Sequence, residues 1–164
     1  MVTRGFPREF RLRLNSLTAT KAKRLQSEAR SESDVRGRVR IAAMYSPEVL
    51  DHFQNPRNAG EVTEPDASVQ IENPACGDIL KLTARVRDGR LAEVRFLAKG
   101  CVPAMACASL LTELIKNETL DKAGKLRRED LVQRIGGLPA ASSHAGYLAL
   151  DALGALLSKL PAGL

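Results

Sequence analysis

Two of the three cysteines and one histidine carry the chemistry this sequence offers. Cys76 lies in Pro74-Ala75-Cys76-Gly77-Asp78, Cys101 follows Lys99-Gly100, and His144 stands in Ser142-Ser143-His144-Ala145. Thiolate and imidazole are soft or borderline donors that suit zinc or iron–sulfur species, whereas magnesium and calcium sites gather carboxylate oxygens. An odd number of thiols points to metal or sulfur chemistry more than to a disulfide framework. Taken singly, Cys76 or Cys101 could equally fill space while its neighbouring glycine makes a turn. His144 alone would read as a surface or capping residue; only the two thiols raise it.

Cys101 has the stronger claim to reactivity. It stands where a strand gives way to a helix, and free N–H groups at a helix start stabilise a thiolate, with Lys99 acting in the same sense. Gly100 and Gly77 are expected to ease the backbone beside each thiol. Cys107, six residues further along the same helix, is turned by about 240° net from Cys101, which predicts a buried core thiol. Neither His52 nor the carboxylates form a recognisable acid–base pair or triad, and there is no phosphate-binding glycine loop.

The elements that must position these residues are legible from Met44 onward. Ser46-Pro47-Glu48 is an N-cap followed by proline, and Val49, Leu50 and Phe53 recur at helical spacing up to Asn55-Pro56. Alternation through Val69-Gln70-Ile71, Leu80 to Arg87 and Leu91 to Leu97, with Asp88-Gly89 as a two-residue turn, predicts a small antiparallel sheet with one wet face. Cys101 to Lys116 then reads as a helix with Pro103 in its first turn. Arg128 to Ile135 suggests a short helix closed by Gly136-Gly137, and Gly146 to Leu160 a last one with Leu148, Ala152, Ala155 and Leu156 on its apolar side. The expected fold class is α+β, a small antiparallel β-sheet with helices packed on one face.

Charge divides the 164 residues unevenly. Residues 1–43 hold eleven basic and four acidic side chains, a charge of +7, which leaves fourteen against fifteen, or −1, for residues 44–164. The first segment reads as a basic tail with little to bury, and 44–164 as the folded domain. Its arginine-rich first half resembles an organellar transit peptide, a reading that Glu9, Glu28, Glu32 and Asp34 weaken. With six aromatic residues and no stacking platform, specific nucleic-acid binding is not expected. No apolar run approaches the roughly 18 residues of a membrane span, so a cytoplasmic location is expected.

Read in order, these residues resemble the IscU/NifU-type family of iron–sulfur cluster assembly scaffolds. The resemblance runs from Met44-Tyr45-Ser46 through Asp51-His52-Phe53-Gln54-Asn55-Pro56-Arg57-Asn58-Ala59-Gly60, the Ala75-Cys76-Gly77-Asp78 turn, Gly100-Cys101 and Ser109 to Glu113, and ends in the His144 to Ala152 segment. It implies a carrier that receives sulfur from a cysteine desulfurase, builds a [2Fe–2S] cluster and hands it to apo iron–sulfur proteins. Carried over by position, Cys76 and Cys101 would be cysteine ligands, Asp78 the aspartate that keeps the site labile, and His144 the neighbouring histidine.

Two positions depart from the family pattern. The cysteine that follows the histidine in the family is Ala145 here, and the chaperone-recognition segment before it reads Leu138-Pro139-Ala140-Ala141-Ser142, with one proline and no lysine. Three readings follow. The four residues still hold iron or a cluster, with help from glutathione or a second chain in a homodimer; or they bind zinc; or the fold persists as a binding or sulfur-relay module that no longer assembles clusters.

Overall fold

The computed structural model describes residues 44–160. The basic tail read over residues 1–43 lies outside the described residues.

Helix α1 (Pro47–Gln54) starts as its cap predicts: the Ser46 hydroxyl oxygen accepts from the Val49 N–H at 3.1 Å. Strands β1 (Ala67–Asn73), β2 (Asp78–Arg87) and β3 (Arg90–Lys99) form one antiparallel sheet in that order. Asp88 and Gly89 join β2 to β3 with φ of 50° and 71°, the paired left-handed conformation that suits the twist of a two-residue hairpin. The inner face carries Val69, Leu80, Leu82, Ala84, Val94 and Phe96, all buried. Each large side chain of this kind contributes about 1.5–3 kcal/mol on leaving water.

The helices cover that inner face. Helix α2 (Val102–Ile115) packs on β3, and α5 (His144–Lys159) on β1 and β2. Between them come α3 (Leu120–Gly124) and α4 (Arg128–Arg134). The sequence reading missed α3, whose five residues are too few to show a period; its visible mark is Thr119, which accepts from the Lys122 N–H. Helix α2 is buried nearly all round, by Ala104, Ala106, Cys107, Ala108, Leu110 and Leu111, because it lies between α1, β3 and α5. Helix α5 starts two residues before the expected Gly146: Ser143 is already helical after a short 3-10 turn, and no capping side chain marks the boundary.

The outer face is drier than alternation predicted. Val62 donates its N–H to the Thr83 hydroxyl at 2.9 Å, leaving Thr83 only 2% exposed, and Glu61 pairs with Lys81 at 2.8 Å. The segment leading there is fastened by buried polar groups that sequence reading left without a role. Ser109 Oγ accepts from the Arg57 N–H at 2.8 Å and lies 2.9 Å from His52 Nδ1. Asn58, held at φ 57°, accepts from the Phe96 N–H and donates its side-chain N–H to Thr112. These bonds tie α1, α2 and the edge of β3 together, so the end of the sheet that carries β3 and α2 is held from both sides.

Candidate metal and sulfur site

The site lies at one end of the sheet, where β1 ends, β2 begins and β3 hands over to α2. Asn73 and Asp78 form the last pair of the β1–β2 ladder, so residues 74–77 must close a tight loop. Asn73 closes it from both sides: its carbonyl accepts from the Gly77 N–H at 2.8 Å, and its side-chain oxygen accepts from the Ala75 N–H at 3.0 Å. Gly77 takes φ 71°, a conformation that a side chain would strain. Cys76 is thereby exposed at the tip, while Asp78, the first residue of β2, is 3% exposed.

Cys101 is the N-cap of α2 and is half-buried, with Pro103 in the first turn as expected. Its side chain does not cap the helix. Instead Asp78 reaches across from β2, and its Oδ1 accepts from the Cys101 N–H at 3.0 Å. A carboxylate at the positive end of a helix is favourably placed. The Cys101 thiol donates to Asp78 Oδ2 at 3.2 Å, and its sulfur lies 3.7 Å from His144 Nε2. His144, the first residue of α5, brings Nε2 to 3.4 Å from Asp78 Oδ2. Donor atoms of Cys76, Asp78 and His144 all lie within 4.8 Å of one another. Cys101 stands outside that trio and joins it through its contacts with Asp78 and His144, so all four residues singled out in sequence share one end of the sheet.

Burial favours protonation of Asp78, but bonds from the Cys76 and Cys101 thiols and the Cys101 N–H, with the His144 charge, outweigh it and hold the carboxyl below its usual range. The thiols move the other way. Burial first, then the Asp78 carboxylate, pushes Cys101 up to about 11, although the Ala104 N–H at the helix start works against this. Cys76 is also raised, by desolvation and by Asp78. The expectation that the helix start would favour a Cys101 thiolate is thus corrected: the helix effect is present, and it loses to burial and a facing carboxylate. Lys99 is exposed and does not reverse the balance.

Cys107 is fully buried, and desolvation lifts its thiol to about 12. Ala145 is 1% exposed and gives the core only a methyl group. A groove of about 450 Å³ lies at the other end of α2, lined by Leu114, Ile115, Leu126, Lys122, Asp130 and Arg134 among others. None of the four gathered residues lines it, and its side chains offer no soft donor. Among the described residues no helix is long and apolar enough to cross a membrane.

A three-stranded antiparallel sheet backed by helices, with two thiols, a carboxylate and an imidazole at its end, is a small α+β domain carrying a soft-donor set. The chain belongs to the NifU-like N-terminal domain family, which it matches over residues 44–162. It is 41% identical over 110 residues to the iron-sulfur cluster assembly scaffold protein IscU 1 of Archaeoglobus fulgidus, covering 67% of this chain and 72% of that one. Similarity to the scaffold protein IscU of Escherichia coli is 38% identity over 118 residues, covering 70% of this chain and 91% of that one. The crystal structure of a nitrogen-fixing NifU-like protein (N-terminal) from Brucella abortus shares the fold. Its TM-score is 0.59 at 20% identity, covering 73% of this chain and 96% of that one.

Proposed function

We propose that this chain is an iron–sulfur cluster assembly scaffold that holds iron and sulfide as cargo at Cys76, Asp78, Cys101 and His144 and yields them to apo-proteins. The observation that carries this reading is the convergence of those four side chains, in a NifU-type domain, at the end of the sheet. Two sulfurs, one nitrogen and one oxygen supply the four protein ligands a [2Fe–2S] cluster needs, and mixed cysteine and histidine ligation of such clusters is established chemistry. The family's third cysteine is absent at Ala145. A carboxylate and an imidazole then do half the ligation, which suits a carrier that must let go.

The protein is a carrier more than an enzyme. Its partners on this reading are a cysteine desulfurase as sulfur donor and apo iron–sulfur proteins as recipients, in the cytoplasm. A thiol from glutathione or from a second copy in a homodimer can make good the missing cysteine. Anaerobic reconstitution with iron and sulfide tests the proposal: visible absorption from a bound cluster is expected in the wild-type chain and lost in Cys76→Ala and in Cys101→Ala. A colourless wild-type chain with no bound iron would refute it.

One observation favours a second reading, a single tetrahedral ion such as zinc. The separations of 3.2, 3.4 and 3.7 Å among Asp78 Oδ2, His144 Nε2 and Cys101 Sγ are close to the edges of roughly 3.3–3.8 Å that tetrahedral bonds of ~2.0–2.3 Å imply. Stoichiometric zinc that iron and sulfide do not displace would select it.

A further inference from the structure

The two glycines beside the thiols serve different ends. Gly77 is needed for its backbone, with φ 71° and open space where a side chain would point. Gly100 is outside the left-handed region, so its backbone would accept any residue. What it lacks is room. A Cβ there would stand 2.4 Å from Asp78 Oδ1, 2.6 Å from its Cγ and 2.9 Å from its Cβ, the shortest about 1 Å inside ordinary van der Waals contact. The carboxylate of Asp78 occupies the place a side chain at 100 would take.

That seat decides which oxygen is free. With Oδ1 accepting from the Cys101 N–H, Oδ2 alone faces the Cys101 sulfur and His144 Nε2. Asp78 has little freedom to yield, since it is 3% exposed and its backbone is fixed opposite Asn73 in the sheet. Turning its side chain away would break the bond to Cys101 and move Oδ2 off the other donors.

We propose that Gly100 is a positioning residue of this site: its missing side chain seats Asp78 on the N-terminus of α2, so that the carboxylate meets a metal through Oδ2 alone. The proposal rests on the ligand reading given above. A shift of order 1 Å in Oδ2 exceeds the tolerance of about 0.2 Å in metal–ligand bonds, so any side chain at 100 should weaken binding.

The test titrates the full chain with cobalt(II) without air, reading ligand-field and thiolate charge-transfer absorption, for wild type, Gly100→Ala and Asp78→Asn. Wild type should bind with thiolate absorption. Gly100→Ala should lose about 10–100-fold in affinity, as loss of an orienting contact typically does, with a shifted ligand-field band. Urea unfolding of the metal-free chain supplies a second readout that survives a poorly folded variant. Ala at 100 should lower the midpoint beside Asp78 and leave it unchanged in an Asp78→Gly background, where the clashing atoms are gone. Equal affinity and an unchanged band in Gly100→Ala, or an equal loss of stability in both backgrounds, would overturn the role of Gly100. A wild-type chain that binds no cobalt would overturn the ligand reading itself, and this role with it.

Discussion

The protonation of Cys101 gives the sharpest quantitative expectation. Its thiol stands near 11 instead of the ordinary 9.0, through burial and through Asp78 Oδ2 at 3.2 Å. At pH 8 the thiolate fraction is then about 0.1%, against about 10% for an unperturbed thiol, a deficit of roughly 100-fold. Only the thiolate attacks iodoacetamide, so alkylation should be slower, by less than that factor because a thiolate of higher pKa is the stronger nucleophile. Asp78→Asn removes the charge and keeps an oxygen that can accept from the Cys101 N–H, so the rate at Cys101 should rise several-fold while burial keeps it below that of a free thiol.

The assay is alkylation of the metal-free chain between pH 7 and 10.5, with each cysteine quantified by peptide mass spectrometry. Cys76 should react first because it is exposed, Cys101 second, and Cys107, at about 12 and fully buried, only on unfolding. A Cys101 midpoint at or below 9, or a slower reaction in Asp78→Asn, would refute the reasoning. The same arithmetic implies that metal uptake releases protons, because bound cysteines are thiolates.

Ser109→Ala leaves the Arg57 N–H and His52 Nδ1 without their buried partner, at a cost of about 2–4 kcal/mol, and should lower the urea midpoint by roughly 1–2 M. Burial and the Arg57 charge lower the pKa of His52, so the unfolded chain binds its proton more readily than the folded one. Stability should therefore be fully present above about pH 6.5 and fall as the pH drops through the lower folded value, a loss that His52→Gln removes from the pH dependence of urea unfolding. Ala145→Cys puts a third thiol directly after His144 and should raise the iron and sulfide retained after reconstitution. Because Ala145 is 1% exposed, that gain comes with a destabilisation of about 1–3 kcal/mol, read by the same unfolding assay.

How far the sequence could be read depended on whether the signal was local. Alternation, the Asp88-Gly89 turn and the Ser46-Pro47 cap each act within a few residues, and the strands and first helix lie where they predicted. The start of α5 was missed by two residues because Ser143 and His144 carry no capping side-chain bond. Thr83 becomes buried through Val62, 21 residues away, and His52 through Ser109, 57 residues away, separations that no periodicity records. The meeting of Cys76, Asp78, Cys101 and His144 followed from the family resemblance and not from spacing. The protonation of Cys101 was misread because the helix start is visible in sequence, whereas the carboxylate facing it across 23 residues is not.

The most direct measurement is the iron, zinc and acid-labile sulfide content of the chain purified without air, for wild type and for the single variants Cys76→Ala, Asp78→Ala, Cys101→Ala and His144→Ala. Iron and sulfide together are predicted in the wild-type chain, with loss from both cysteine variants. A wild-type chain free of iron and sulfide, or equal amounts in wild type and the cysteine variants, would contradict the claim that these four side chains hold the cargo.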